Sequence, residues 1–398
     1  MNQVLMVIGG NWEQRKLVET AKEMGLTLVL TDPDENCAAR PLADHFYVCD
    51  PRNLTFLLGI AERHRIAGVT ADECDYSHYA SAYIAECLGL PGDGLEAAQN
   101  TTNKAWMRER VRDADVIQPR FFPCTTLEAA RRAVELIGWP VIVKPVDNRG
   151  AFGVNIARSD SELAAAFLDA VRNAHSRQVM VEAFVEGVHI TVDGCFDQQG
   201  THHNLAIASK QVLSGERPII TEVLYPADIP ETTRDYVMQM NSRVVAGLGI
   251  RSGLTHSEYI VDAKERCFLV ETANRGGGVL TSALIVPHMS GVDLNRLLIS
   301  NALGRDFAVV PTPRKGICLL TFFVLKPGQV AEVKGLDAAR NLPGVLFLRL
   351  LIKPGDVLTR PKSGAGRHGF AILEASDTAA LERLRLKLLD TLEVIYAA

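Results

Sequence analysis

The sequence lacks the patterns that mark several large classes of protein. Its eight cysteines are scattered without a CxxC pair, which argues against a disulfide framework or a structural zinc site and favours a reducing cytoplasm. No GxxxxGK[ST] segment occurs, so any ATP would bind without a P-loop. No basic block occurs either and the net charge is −5, so we expect no nucleic acid partner.

Long hydrophobic runs are absent as well. The apolar run at residues 4–8 is too short for a signal peptide or a membrane anchor and follows no basic segment, so we expect no membrane partner. The 398 residues are 47% apolar and 22% charged, close to the average for soluble globular proteins. This length predicts two or three domains.

The first ninety residues alternate short apolar runs with stretches of helical spacing. Strands are predicted at residues 4–8, 26–30, 45–49 and 67–70, and helices near 53–64 and 76–88. This alternation is typical of a parallel α/β layer.

Two glycine patterns bear on dinucleotide binding. The Gly9-Gly10 turn follows the first strand, but it lacks a third glycine and, by the predicted strand ends, an acid at the end of the next strand. A GxGxxG at Gly364, Gly366 and Gly369 follows a loop and precedes a strand. Neither pattern predicts a dinucleotide site.

The pattern changes after about residue 139. Antiparallel hairpins are predicted up to residue 275, with helices near 160–173 and 231–247 covering one face of the sheet, which indicates an α+β fold. A third unit after Pro311 is predicted to be a small sheet-and-helix cap that ends in a helix at 377–394.

The segment VIVKPVDNRGAFGV has the composition of a phosphate site. Lys144 ends a strand and precedes a loop that holds Gly150 and Gly153. The ammonium would neutralise phosphate charge while glycine N–H groups approach the oxygens closely. The alternative is a polar hairpin with a surface lysine.

The segment VMVEAFVEG presents Glu182 and Glu186 at the end of an apolar strand. Such an edge can face an adenine or a ribose. The alternative is a solvated turn with ordinary charges.

Two further glutamates decide between these alternatives. Glu258 lies in one apolar strand and Glu271 ends the next, so a hairpin would place both carboxylates on one face, where like charges need a cation between them. Mg²⁺ is the expected ion. Downstream lie Asn274 as a further oxygen ligand, Arg275 as a fork for phosphate or carboxylate, and a glycine run from 276 to 278, in which Gly276 and Gly277 allow close approach to a ligand.

Four other side chains are weaker candidates. His256 is predicted on the same strand face as Glu258, where it would contact a substrate or lie at the rim of the site. Lys210 ends a strand within reach of phosphates. Arg367 is either a carboxylate anchor or a surface charge. Glu73 follows a strand of the first layer, where such layers display ligand-facing groups.

The order of these features resembles the ATP-grasp superfamily, over residues 1 to about 305. The segments KPGQVAEVKGLDAARNLPGV, LIKPGDVL and GRHGFAILEASDTAAL are similar to the C-terminal domain of L-amino-acid ligases. The resemblance implies an ATP-grasp fold with an N-terminal parallel α/β (pre-ATP-grasp) domain and a small C-terminal α+β cap. The implied domains are residues 1–95, 96–310 with a lid subdomain at about 115–185, and 311–398.

The resemblance also implies roles for single residues. Lys104 and Lys144 would hold ATP phosphates. Glu182 with the backbone of Ala183 and Val185 would face the adenine, and Glu186 or His189 would lie near the ribose. Glu258 and Glu271 would hold Mg²⁺ or Mn²⁺, and Arg275 would stabilise the transferred phosphoryl group. The family often has Asn where this chain has Ala273, so the third metal ligand differs.

The implied activity is that of a cytoplasmic ATP-dependent carboxylate–amine ligase acting on small molecules, as a homodimer in related enzymes. Three alternatives stay open. The first is a different reaction at the same nucleotide site, either carboxylation or ligation of an amino acid to a nucleotide or sugar intermediate. The second is a nucleotide-binding protein without turnover, and the third is a dinucleotide-dependent oxidoreductase.

Overall fold

The N-terminal residues form parallel strands joined by helices, as the sequence predicts. The computed structural model describes residues 3–148, 150, 152–213, 219–361 and 363–397. In the first layer the strands are β1 (Val4–Ile8), β2 (Thr27–Asp32), β3 (His45–Val48) and β4 (Gly68–Thr70), and the helices are α1 (Arg15–Glu23), α2 (Leu54–His64) and α3 (Asp75–Leu88). The sheet order is β3-β2-β1-β4.

The end of β2 corrects the sequence analysis. The strand runs two residues beyond its predicted end and closes with Asp32, so an acid does stand there. Its carboxylate accepts the backbone N–H groups of Gly10 at 2.7 Å and of Asp34 at 2.8 Å. Because the N–H of Gly10 is already engaged by a carboxylate, the turn offers no site there for a pyrophosphate.

A second, smaller sheet follows two connecting helices. The connecting helices are α4 (Leu95–Thr102) and α5 (Lys104–Arg110); the sheet has β5 (Phe121–Cys124), β6 (Val141–Pro145), β7 (Asn155–Ala157) and β8 (Val179–Ala183), covered by α6 (Leu127–Ile137) and α7 (Asp160–Asn173). The strand order is β5-β8-β6-β7, all antiparallel. The apolar sides of α6 and α7 pack on this sheet, because Ala130, Ala133, Leu163 and Phe167 share its core.

The largest sheet is built from long antiparallel strands. They are β9 (Val188–Phe196), β10 (His202–Leu213), β11 (Ile219–Tyr225), β12 (Leu254–Val261) and β13 (Cys267–Ala273), with α8 (Glu231–Gly247) on one face. The prediction that one sheet carries both α7 and α8 is therefore wrong: each helix covers its own sheet, because the chain turns away after β8.

Three of the C-terminal strands extend this largest sheet. After α9 (Val286–Ser290) and α10 (Leu294–Ala302) come β14 (Ile317–Phe322), β15 (Gly328–Lys334), α11 (Leu336–Arg340), β16 (Val345–Leu350), β17 (Val357–Leu358), β18 (Gly369–Ala375), α12 (Thr378–Thr391) and β19 (Glu393–Tyr396). The order β13-β12-β9-β10-β11-β14-β18-β16 joins both predicted units through backbone hydrogen bonds between β11 and β14. Only β17, β15 and β19 form a separate small sheet.

A shared core fastens the N-terminal layer to the largest sheet. Leu5 of β1, Tyr225 of β11 and Phe370 of β18 belong to one buried cluster. At the contact between β4 and α10, a Cβ on Gly68 would lie 2.3 Å from the carbonyl oxygen of Ala302, so the close approach requires glycine. Among the described residues no helix combines the length and the apolar character needed to cross a membrane.

Candidate functional site

A cavity of about 270 Å³ lies between the small sheet and the largest sheet. One part of its wall is apolar, and its other part carries charged side chains from both sheets and from α5. The apolar lining includes Ile142, Val154, Ile156, Phe184, Val212, Ile219, Ile260, Phe268 and Val270, and the charged lining comprises Lys104, Lys144, Glu182, Glu258, Glu271 and Arg367. An apolar wall with a few placed charges is the usual form of a small-molecule site.

Lys144 and Glu182 form a buried ion pair in this wall. Lys144 Nζ lies 2.5 Å from Glu182 Oε1, and Arg108 Nη2 lies 3.0 Å from Glu182 Oε2. The side chains of Lys144 and Glu182 are 5% and 7% exposed, and that of Arg108 is 0% exposed. Burial alone would raise the pKa of Glu182, but Lys144 and Arg108 outweigh it and lower that pKa. Glu182 is therefore a carboxylate held between two cations.

The sequence analysis missed Arg108. Besides Glu182, its guanidinium donates to the carbonyl oxygens of Leu269 and Val270 in β13. The segment KAWMRER reads as an ordinary charged helix, and only the packing of α5 against β13 reveals the contact.

Glu258 and Glu271 face each other across β12 and β13, as the sequence predicts. Lys210 Nζ lies 2.6 Å from Glu258 Oε1, and Lys104 Nζ lies 2.7 Å from Glu271 Oε2. Burial would raise the pKa of Glu258, but Lys210 and His256 lower it well below the usual range. The two side chains stay 24% and 32% exposed, so both carboxylates are accessible from the cavity. Two neighbouring carboxylates provide the oxygen donors that Mg²⁺ prefers.

His256 is held by Asp193, a residue that the sequence analysis did not single out. Its Nδ1 lies 2.7 Å from Asp193 Oδ1 and its Nε2 lies 3.6 Å from Glu258 Oε1, while Tyr225 Oη donates to Asp193 Oδ2 at 3.3 Å. Burial would lower the pKa of His256, but Asp193 outweighs it and raises that pKa to about 9. The cross-strand register of β9 and β12 pairs Asp193 with His256, a contact visible only once strand pairing is known.

Arg275 is clamped by the N-terminal layer. Its Nε and Nη2 donate to the carboxylate of Asp75 at 2.7 and 3.1 Å, and its Nη1 donates to the carbonyl oxygen of Gly276 at 2.8 Å. Asp75 is the first residue of α3. The fork of Arg275 is therefore oriented by a residue 200 positions away in the chain.

The glycine run is packed against both halves of the site. The Gly276 N–H donates to Asp72 at 2.8 Å, and a Cβ on Gly276 would lie 2.2 Å from Ser282 Cβ. A Cβ on Gly277 would lie 2.7 Å from His256 Nδ1. A side chain at either position would displace its neighbours, so both glycines allow the loop to pass close to the site.

Glu73 lies beside this loop and is buried. Its Oε1 accepts a hydrogen bond from Ser282 at 3.2 Å, and its backbone has φ of +57°, a conformation rare for a residue with a side chain. Burial raises the pKa of Glu73 well above the usual range, and the neighbouring carboxylates of Glu13 and Asp72 raise it further. The predicted substrate residue thus lies among like charges.

Several other predicted residues do line the cavity. They are Gly150, Ala183, Val185, His189 and Arg367. Burial lowers the pKa of His189, which favours the neutral imidazole. Arg367 Nη1 donates to the Ile220 carbonyl oxygen at 3.2 Å and its guanidinium lies 3.4 Å from the centre of the Phe322 ring. In the loop around Gly150, Arg149 and Ala151 lie outside the described residues.

Three further predicted residues, Asn274, Glu186 and Gly153, are not part of the cavity lining. Asn274 donates its amide N–H groups to the Ser252 and Leu254 carbonyl oxygens and is not among the residues that line the cavity. Glu186 is exposed and lies outside the cavity lining. Gly153 packs beneath the loop, where a Cβ would lie 2.9 Å from Asn173 Cβ.

Comparison with known families identifies two parts of the chain. Residues 137–283 match the ATP-grasp domain and residues 321–397 match the L-amino acid ligase C-terminal domain 2. The two resemblances stated from the sequence are thereby confirmed. One continuous sheet contains strands of both matches, because β9 to β13 lie within residues 137–283 and β16 and β18 lie within residues 321–397.

Similar proteins share the same architecture. The L-arginine-specific L-amino acid ligase of Bacillus subtilis is 22% identical over 383 residues, which cover 92% of this chain and 91% of that protein. A D-alanine–D-alanine ligase from an Anaeromyxobacter strain is 28% identical over 226 residues, which cover 52% of this chain and 68% of that protein. The crystal structure of an L-amino acid ligase from Bacillus licheniformis superposes with a TM-score of 0.83 at 22% identity, covering 100% of this chain and 99% of that one. This last likeness establishes the fold.

Proposed function

We propose that this chain, in which an ATP-grasp domain is followed by an L-amino acid ligase C-terminal domain, uses Mg-ATP to join a carboxylate to an amine, releasing ADP and phosphate. The observation that carries the proposal is the facing pair Glu258 and Glu271, each bound to a lysine, in the charged part of an otherwise apolar cavity. The apolar wall suits an adenine, and the charged part suits a triphosphate with its cation.

The nucleotide is proposed to lie along this cavity. The backbone of Ala183 and Val185 borders the adenine, and His189 lies near the ribose. Lys104 and Lys144 contact the phosphates. The carboxylate of Glu182 is bound to Lys144 and Arg108, so its role is to hold Lys144 at the phosphates rather than to bind the adenine directly.

Two sets of groups would offset the charge of the transferred phosphoryl group. Glu258 and Glu271 would hold Mg²⁺, which would offset the charge of the phosphates when bound. Arg275 shares a small space with Lys104 and Glu271, so its guanidinium is placed to stabilise the transferred group. His256 carries a positive charge between Asp193 and Glu258 and keeps the Glu258 carboxylate ionised and oriented.

The carboxylate substrate is proposed to enter beside Arg367, which lines the same cavity from the C-terminal segment. Its oxygen attacks the γ-phosphorus, the bond between that phosphorus and ADP breaks, and an acyl phosphate results. The amine nitrogen then attacks the acyl carbon and phosphate leaves. The glycine run and Glu73 border the reacting groups.

Hydroxylamine tests this proposal without knowledge of the natural amine. Purified protein is incubated with Mg-ATP, pooled amino acids and other small carboxylic acids, and hydroxylamine, which traps an acyl phosphate as a hydroxamate. We expect hydroxamate in amounts that match ADP, and division of the pool then identifies the carboxylate. ADP without hydroxamate from any acid, or bound ATP that is never turned over, would contradict carboxylate activation.

A further inference from the structure

Asp193 is a buried carboxylate in β9, an interior strand of the largest sheet. It is 2% exposed and is not among the described residues that line the nucleotide cavity, the space of about 270 Å³ between the two sheets. Its Oδ1 lies 2.7 Å from His256 Nδ1, and its Oδ2 accepts a hydrogen bond from Tyr225 Oη at 3.3 Å. Protein groups therefore engage both oxygens, as a buried carboxylate requires.

The register of β9 and β12 brings these groups together. It pairs Asp193 with His256 and Thr191 with Glu258. Residues that stand opposite each other, or two apart in one strand, share a face of the sheet, so the four side chains form one patch. Thr191 is fully buried, and its Oγ1 lies 3.3 Å from His256 Nδ1. The His256 ring is thus in contact with two polar side chains of β9.

Tyr225 reaches Asp193 from two strands away. It lies in β11, and β10 runs between β11 and β9. In β10, Ala206 stands opposite Asp193 and Ala208 stands opposite Thr191. Each of these alanines carries only a methyl group, which leaves room for the Tyr225 ring to cross β10 and reach the carboxylate. Tyr225 therefore restrains Asp193 from the side opposite to His256.

His256 passes this restraint on to Glu258. Its Nε2 lies 3.6 Å from Glu258 Oε1, the same oxygen that contacts Lys210 Nζ at 2.6 Å. Glu258 lines the nucleotide cavity, whereas His256 is not among its described lining residues. Because both contacts fall on Oε1, the other oxygen of Glu258 is left for the proposed cation.

We infer that Asp193 is a positioning residue for the proposed cation site and that it acts through His256. Asp193 holds Nδ1 of the ring, the ring directs Nε2 toward Glu258, and Glu258 keeps its second oxygen available to the cation. Side chains that hold a metal ligand without touching the metal commonly strengthen metal binding in this way. The inference rests on the proposed function, which places a divalent cation at Glu258.

The experiment measures Mn²⁺ binding in the presence of ADP by electron paramagnetic resonance, so it needs no turnover. Asp193→Asn keeps the shape of the side chain but removes the charge that holds His256, so the Kd for Mn²⁺ should rise about tenfold. Asp197→Asn is the matched control, because Asp197 lies 2.8 Å from His203 Nε2 in an aspartate–histidine pair outside the cavity lining. It should leave the Kd unchanged. An unchanged Kd in Asp193→Asn, or an equal rise in both variants, would overturn the inference.

A double-mutant cycle separates an effect through the ring from a direct effect of the Asp193 charge. In a His256→Gln background, Asp193→Asn should no longer change the Kd for Mn²⁺, because no ring is left to orient. A tenfold rise that persists in this background would overturn the inference.

Tyr225→Phe tests the same path with a smaller change. It removes one hydrogen bond to Asp193 and keeps the aromatic ring, so it is expected to fold even if Asp193→Asn does not. The Kd for Mn²⁺ should rise about threefold. A Kd equal to that of the wild-type protein would contradict the restraint of Asp193 by Tyr225.

The hydroxamate assay on the wild-type protein separates this inference from the proposed function. If no acid yields hydroxamate, the proposed function fails, while a Kd for Mn²⁺ that rises in Asp193→Asn and not in Asp197→Asn still supports the positioning role. If hydroxamate forms and the Kd does not change in Asp193→Asn, the inference fails and the proposed function stands. A wild-type protein that binds no Mn²⁺ with ADP would overturn both.

Discussion

Lysine–glutamate pairs lie in two parts of the nucleotide cavity, and they differ in how well they are sealed. Lys144 and Glu182 are almost completely buried, and Arg108 binds the second oxygen of Glu182. Glu258 and Glu271 are each paired with one lysine and remain accessible from the cavity. A sealed carboxylate can only hold the cations already bound to it, whereas an accessible carboxylate can exchange its ammonium for another cation. The contrast assigns Glu182 the task of holding Lys144 in place and assigns a ligand-exchanging task to Glu258 and Glu271.

The largest expected effect comes from removing an accessible carboxylate. Glu271→Gln keeps the side-chain shape but removes one of two charges that face the proposed cation, so ADP formation should fall about 10³-fold or more. The rate of ADP release at saturating Mg-ATP measures this loss.

Glu186→Gln is the control for that variant, since Glu186 is exposed outside the cavity and the change is chemically the same. It should retain wild-type turnover. A Glu271→Gln protein that still released ADP at the wild-type rate would remove Glu271 from the metal site and erase the difference between the two kinds of pair.

Breaking the sealed pair should instead affect stability first. Arg108→Met leaves Glu182 with a single cation and the Leu269 and Val270 carbonyl oxygens without their donor, so the free energy of unfolding should fall by about 3 kcal/mol. Urea unfolding measures it. Arg110→Met, on the exposed side of the same helix, should change it by less than about 0.5 kcal/mol. Equal losses of unfolding free energy in the two variants would show that the burial of Arg108 does not increase its contribution to stability.

The clamp on Arg275 is expected to have a smaller effect, confined to turnover. Asp75→Asn keeps the shape of the side chain but weakens both hydrogen bonds to the guanidinium, so kcat should fall about tenfold while the KM for ATP stays constant. Asp44→Asn, in an exposed ion pair of the same layer, should change neither parameter. A rise in KM without a fall in kcat would place Arg275 in ground-state binding instead.

Periodicity predicted the local elements well, because strands such as β1 and helices such as α3 and α12 are specified by their own residues. The resemblance supplied the residues of the cavity, since Lys104, Lys144, Glu258 and Glu271 all line it. Contacts between distant segments could not be derived in this way. Arg108 looks like a surface residue until α5 meets β13, and Asp32 falls outside a strand predicted from apolar residues alone.

The sheet that crosses a predicted domain boundary is a second contact between distant segments that could not be derived from the sequence. Proline and glycine positions indicate where the chain turns, but not which strand it pairs with next. The pairing of β14 with β11 depends on edge hydrogen bonds and on a core shared with β1, and none of these has a local signal. For the same reason the contacts of the Asn274 amide with Ser252 and Leu254 could not be predicted from its place near Glu271 in the sequence.

The smallest expected effect tests whether an accessible pair exchanges its cation. In the absence of nucleotide, the ammonium of Lys104 competes with a divalent ion for Glu271, so Lys104→Met should strengthen Mn²⁺ binding several-fold, up to about tenfold. With ATP present, Lys104→Met should instead weaken Mn²⁺ binding. The methionine cannot contact a phosphate, so the ATP that carries the ion binds more weakly. Electron paramagnetic resonance of free Mn²⁺ measures both conditions. Lys22→Met, which breaks an exposed pair with Asp44, should change neither. Weaker Mn²⁺ binding without nucleotide would mean that Lys104 shapes the site rather than occupying it, and the accessible pair would then behave like the sealed one.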